Sequence, residues 1–192
     1  LIRSLWLAKK SKRSVALQIV PQPRAKRVDF RIIVKKREGW VTQDGPTEKI
    51  AAPQFEGTVK RGSATCPCCG FTTPVGRLRE QLKTRRGGAD DAQLMCVVTT
   101  RENEQGRFYR LPQQSDLQAS AAAAVRLEEL VRSHRGPISL LPEEKLDIRG
   151  IRHTWGMIYG QETWRDHFNQ RQLLALVTLT RLVQEAAKND HN

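Results

Sequence analysis

The run Thr65-Cys66-Pro67-Cys68-Cys69-Gly70 constrains this chain more than any other stretch. Cys66 and Cys69 are two residues apart, the spacing that lets two thiolates reach one tetrahedral ion. Gly70 follows at once, and a residue free to take left-handed φ lets the backbone turn and aim its N–H groups at the sulfurs. The run predicts a zinc knuckle with Cys66 and Cys69 as ligands, and Cys68 either facing away or serving as an alternative ligand. A structural zinc takes four ligands, and the chain holds no second C-x-x-C. Cys96, within Leu94-Met95-Cys96-Val97-Val98, reads as a small buried apolar residue, and His134, His153, His167 and His191 lack the paired spacing of ligands. The missing ligands are expected just ahead of Leu1. With three of four cysteines in one cluster, the pattern is also a poor disulfide framework.

Charge supplies the second constraint. Lys and Arg number 33 against 20 Asp and Glu, a formal net charge of +13. Residues 1–62 carry 15 basic and 5 acidic side chains, residues 63–112 carry 8 and 5, and residues 113–192 carry 10 and 10. The excess is thus concentrated at one end, as in a protein that grips a polyanion with part of its surface. The clusters Lys9, Lys10, Lys12 and Arg13, then Arg24, Lys26 and Arg27, then Lys35 and Lys36, then Lys60 and Arg61, punctuate strand-like segments and are the candidate nucleic-acid contacts. No apolar run approaches membrane-spanning length and no leader pattern is present, so a cytoplasmic protein with no membrane partner is expected.

Periodicity gives the architecture. Val15, Leu17 and Ile19, then Val28, Phe30, Ile32 and Val34, alternate with polar residues as half-buried strands do, with a break expected at Pro21-Gln22-Pro23. Residues 35–56, with two glycines and two prolines, read as a loop or partly disordered insertion. Thr58 to Lys60 predict a short strand into the knuckle, and Val75, Leu78 and Leu82 a short basic helix ending before Gly87-Gly88. A hairpin is expected from Gln93–Thr100 and Arg107–Leu111. Ser115 with Gln118, and Asn169 with Gln172, have the spacing of capping boxes that open two helices. The first would bury Leu117, Val125, Leu130 and Val131. The second carries apolar residues on well over one face, from Leu173 to Val183, and calls for a core or partner domain to pack on. The expectation is an α+β chain: a basic antiparallel sheet in 1–62, a zinc-knuckle hairpin with a short helix in 63–112, and a helical C-terminal part in 113–192. No nucleophile elbow, Walker loop, G-x-G-x-x-G or carboxylate pair in an apolar setting is present to support catalysis.

Gly150-Ile151-Arg152, Tyr159-Gly160, Trp164-Arg165-Asp166-His167-Phe168 and Arg171-Gln172-Leu173-Leu174-Ala175-Leu176 together resemble the prokaryotic Zn-ribbon-containing adenine-specific DNA methylase-like family. Leu1-Ile2-Arg3-Ser4-Leu5-Trp6-Leu7 and Gly57-Thr58-Val59-Lys60-Arg61-Gly62 look similar to the same family. The resemblance implies a fragment of a longer protein whose Gly-rich segment binds S-adenosylmethionine and whose Asp-Pro-Pro-Tyr-like tetrapeptide holds the flipped adenine amine. Neither motif occurs here. It also implies a first cysteine pair upstream of the segment matching Leu1, which would complete the zinc site. The chain departs from the family in His167-Phe168-Asn169-Gln170 and in the extra Cys68. The implied function is a DNA-binding insert of an N6-adenine methyltransferase-like protein, packed on the methyltransferase core. The competing expectation is a free-standing Zn-ribbon adaptor for RNA or a protein partner.

Overall fold

The alternating residues of the first third form an antiparallel meander in which β1 (Trp6–Ala8), β2 (Val15–Gln22), β3 (Arg27–Lys36), β4 (Gly39–Thr42) and β5 (Lys49–Ile50) lie side by side in chain order. The computed structural model describes residues 1–10, 14–147 and 154–189. Lys12, Arg13, His153, His191 and the Gly150-Ile151-Arg152 motif lie outside them. The β2–β3 pairing sets Val15 opposite Val34, Leu17 opposite Ile32 and Ile19 opposite Phe30. Facing residues share one side of a sheet, so these six form one apolar face. Leu5, Val15, Leu17 and Ile32 are buried there, with Met95, Cys96, Tyr109 and Leu111 packed against them.

Two expectations change. β2 runs through Pro21 to Gln22, and the reversal falls on residues 23–26, with Lys26 at φ 51°. A proline at the end of a strand costs the ladder little. Residues 35–56 are no loop: β3 extends to Lys36, and β4 and β5 follow. Elements of four and two residues are too short to show periodicity. They are held instead by Thr42, whose hydroxyl donates to the Pro46 carbonyl at 2.8 Å and accepts the Glu48 N–H at 3.0 Å.

β6 (Val59–Lys60), β7 (Ser63–Thr65) and β8 (Thr72–Thr73) make a second small sheet, and β9 (Val97–Arg101) with β10 (Glu104–Arg110) the expected hairpin. The Tyr109 hydroxyl donates to the Leu7 carbonyl at 3.0 Å and the Gln43 amide to the Tyr109 carbonyl at 2.7 Å, which fastens that hairpin to the meander. The chain divides into two compact units, residues 1–78 with 94–112 and residues 79–93 with 113–192. α1 (Val75–Lys83) carries the chain from the first into the second.

The second unit is helical: α2 (Gln114–Ser133), α3 (Thr154–Met157) and α4 (Gln170–Asn189). The chain is therefore α+β with a helical C-terminal part. α4 begins as its sequence predicts: the Asn169 N–H donates to the Gln172 side chain and the Gln172 N–H to the Asn169 side chain, each at 3.0 Å. α2 is capped two residues earlier than Ser115 and Gln118 suggest, with the Asp116 carboxylate accepting the Gln113 N–H at 2.7 Å. Its buried stripe also differs, because Ala123 and Leu127 are buried while Leu117, Val125 and Val131 are exposed. Leu127 joins Leu141 and Leu173 in a second core, with Phe168, Leu174 and Val177 around it. No helix among the described residues is long and apolar enough to cross a membrane.

One buried carboxylate ties this unit together. Asp166 accepts the N–H groups of Glu162 and Thr163 and the Thr163 hydroxyl, at 2.9, 2.9 and 3.0 Å, and its other oxygen meets the Arg86 guanidinium at 2.8 Å. Burial raises its pKa, but the Thr163 and Glu162 donors and Arg86 outweigh burial and hold it below the ordinary carboxylate value. A depressed folded value means the stabilisation is present above the unfolded value of about 3.9 and is lost as pH falls through the folded one. Asp166→Asn should therefore cost about 2 kcal/mol at neutral pH in thermal unfolding followed by helical circular dichroism. The gap to the unaltered chain should close below about pH 4. A gap that is independent of pH would show that the charge is immaterial.

Candidate metal knuckle and basic surface

The knuckle grows from β7 and β8. Thr65 pairs with Thr72, their hydroxyls 2.9 Å apart, and just beyond them the Cys66 N–H donates to the Phe71 carbonyl at 2.9 Å. The Gly70 N–H then donates to the Cys66 carbonyl at 2.9 Å, with Gly70 at φ 74°, the left-handed turn anticipated for that position. The turn directs the backbone N–H groups of Cys69 and Cys68 at the Cys66 sulfur. These donors, with the Cys69 side chain, lower the Cys66 pKa, as N–H donors to a thiolate must.

Cys66 and Cys69 are exposed. Cys68 is partly buried, and its thiol donates to the Arg27 carbonyl at 3.2 Å while also lying within hydrogen-bond reach of the Cys66 thiol. Cys96 has the opposite chemistry, since burial against the sheet core pushes its thiol up despite the N–H of Arg110 nearby. The His134 ring is engaged locally, 2.9 Å from the Ile138 carbonyl oxygen. Among the described residues no group of three or more Cys, His, Asp or Glu converges as a metal site. The donor set fits a zinc ion as two ligands of four.

The candidate basic residues do not form one patch. Lys9, Lys10, Lys35 and Lys36 collect at one end of the β2–β3 hairpin, where the Ser14 hydroxyl donates to the Lys10 carbonyl at 2.7 Å and the Ser14 carbonyl accepts the Lys35 N–H at 3.0 Å. Arg24 and Lys26 lie in the turn at the other end, with Arg27 starting β3 beside Cys68. Lys60 and Arg61 sit at the β6–β7 turn that leads to the knuckle. Some are already engaged: Arg27 pairs with Asp29 at 3.3 Å and Lys60 with Glu56 at 3.3 Å. Lys9, Lys10, Arg24, Lys26, Lys35, Lys36 and Arg61 have no ion-pair partner among the described residues.

An aromatic cluster that sequence reading missed adjoins the first group. Trp6 stacks on Phe55 at 4.1 Å and 16°, and Trp40 meets Trp6 at 5.5 Å and Phe55 at 4.9 Å. The three lie far apart in sequence, and only the sheet brings them together. Lys9 places its ammonium 5.4 Å from the Trp6 ring centre.

No family model matches the chain, and no curated protein and no solved structure is similar to it.

The thiol environments have a direct consequence. In metal-free protein treated with limiting iodoacetamide, Cys66 should alkylate first and Cys96 last by peptide mass spectrometry. The Cys66 rate should level off below the pH of about 8.5 typical of a free thiol. Equal rates at the two positions would contradict the knuckle geometry.

Proposed function

We propose that this chain is the DNA-gripping, Zn-ribbon-bearing part of an adenine-specific (N6) DNA methyltransferase-like protein of the cytoplasm, with no catalytic or S-adenosylmethionine-binding machinery of its own. The observation that carries this reading is the half-built knuckle. Cys66 and Cys69 are exposed, and backbone N–H groups already point at the Cys66 sulfur, the arrangement that stabilises a metal-bound thiolate. A second thiolate pair, from another segment of the parent protein, completes a tetrahedral zinc site. The net charge of the first 62 residues suits a phosphate backbone. The α4 residues Leu176, Leu179, Leu182 and Val183 are exposed, an apolar surface suited to burial against a methyltransferase core. Such a grip has a use, because flipping a base out of a duplex costs a few kcal/mol that contacts elsewhere must offset.

Two measurements test the reading. Cobalt titration of the chain joined to the residues encoded upstream of it should reach one ion per chain with thiolate charge-transfer absorption, and Cys66→Ser or Cys69→Ser should abolish it. Stoichiometric metal that survives both substitutions would refute the ligand assignment. Duplex DNA affinity should fall with salt at about −0.9 in log K per phosphate neutralised. Replacing Lys9, Lys10, Lys35 and Lys36 by Ala should flatten that slope by up to about 3 to 4. Replacing Arg126, Arg132 and Arg181, each ion-paired along its own helix, should leave it unchanged. Equal effects from both sets would reduce the basic end to a solvated face.

A further inference from the structure

We propose that Trp6, Trp40 and Phe55, with Lys9 and Lys35 beside them, form a platform for an unpaired base of single-stranded DNA. This rests on the DNA-binding reading above and adds which form of DNA the basic end engages.

The argument starts from strand register. Trp6 faces Ala16, Ala16 faces Ile33, and Ile33 faces Thr42, so these four lie in one cross-strand row. The next row sets Lys35 opposite Trp40, and Trp40 opposite Ile50. Both rows belong to the side of the sheet away from the Leu17 and Ile32 core. Ala16 and Ile33 are fully buried, while the aromatic rings of that side remain half-exposed. The rings thus cover the sheet and still present apolar surface to solvent.

The cluster is held rigidly. The Leu5 N–H donates to the Phe55 carbonyl at 3.0 Å, and the Gly57 N–H to the Arg3 carbonyl at 3.1 Å. A Cβ at position 57 would collide with the Ile2 carbonyl, so glycine is required for Phe55 to come this close. A platform fixed before binding loses little conformational freedom when a base stacks on it.

Charge selects the occupant. The nearby acids Glu38 and Glu56 are engaged by Lys49 and Lys60, at 3.4 and 3.3 Å. Lys9 and Lys35 are exposed beside the aromatic rings, with no acidic partner among the described residues. An apolar protein partner would leave these ammonium groups uncompensated. A duplex offers phosphates, but its base faces are stacked on one another. A single strand supplies both a phosphate for the lysines and a free π-face for the rings.

The test compares a labelled oligothymidylate of about twelve nucleotides with an abasic oligomer of the same length and charge, by fluorescence anisotropy, with tryptophan quenching as a second readout. Oligothymidylate should bind at least about tenfold more tightly and quench tryptophan emission. Trp40→Leu and Phe55→Leu, which keep the sheet covered, should each shrink that preference while leaving abasic affinity unchanged. Lys9→Ala with Lys35→Ala should weaken both ligands equally. Equal affinity for the two oligomers, or a preference indifferent to both leucine variants that retain native circular dichroism, overturns the platform. Tighter binding to duplex, or to oligouridylate, overturns the assignment to single-stranded DNA while the basic surface stands. No binding to any nucleic acid overturns this inference and the proposed function together.

Discussion

The pairing of β2 with β3 is the constraint on which the first unit depends. Eight consecutive residue pairs, from Val15 opposite Val34 to Gln22 opposite Arg27, fix which side chains face inward. A slip of one residue would turn one strand over against the other and carry either Leu17 or Ile32 out of the core, with Gln18 or Arg31 in its place. The same register decides where charge goes. It puts Arg27, opposite Gln22, at the end of β3, where its carbonyl accepts the Cys68 thiol, while the adjoining β3–β4 register sets Lys35 opposite Trp40.

What the sequence made legible follows from how local each signal is. The alternation of β2 and β3, the Asn169–Gln172 box and the left-handed Gly70 all rest on residues within a few positions of one another. The meander's later strands were missed because Trp40 and Val41 gain their stability from partners 34 residues away in one case and from the β3 edge in the other. The α2 stripe was misjudged for a related reason: in an alanine-rich helix the face that packs closest is chosen by small Ala123 next to Leu127, not by the bulkiest residues. Asp166 lies within Trp164-Arg165-Asp166-His167-Phe168, yet its pairing with Arg86 spans 80 positions and carries no local signature.

The cysteines show how backbone conformation divides one side chain into three chemistries. Cys66 receives backbone N–H groups and is inclined to the thiolate, Cys68 donates a hydrogen bond to a carbonyl, and Cys96 is pressed toward the neutral thiol by burial. Spacing alone singles out the 66 and 69 pair. Cys68, one of the two residues between them, instead donates its thiol to the Arg27 carbonyl of β3.

The hairpin also acts as a ruler. Eight paired residues at about 3.3 Å each separate its two ends by roughly 25 Å, a distance set by covalent geometry and held by the ladder. Lys9, Lys10, Lys35 and Lys36 stand at one end, and Arg24, Lys26 and Arg27 at the other, next to the knuckle. Two charge groups so spaced lie beyond the Debye length of about 8 Å at physiological salt, so they neither repel nor reinforce one another appreciably. Under the proposed function each group meets its own stretch of phosphates. The contribution of the two ends to affinity is then additive, and zinc bound at the knuckle would act first on the Arg27 end, where the knuckle residue Cys68 touches β3.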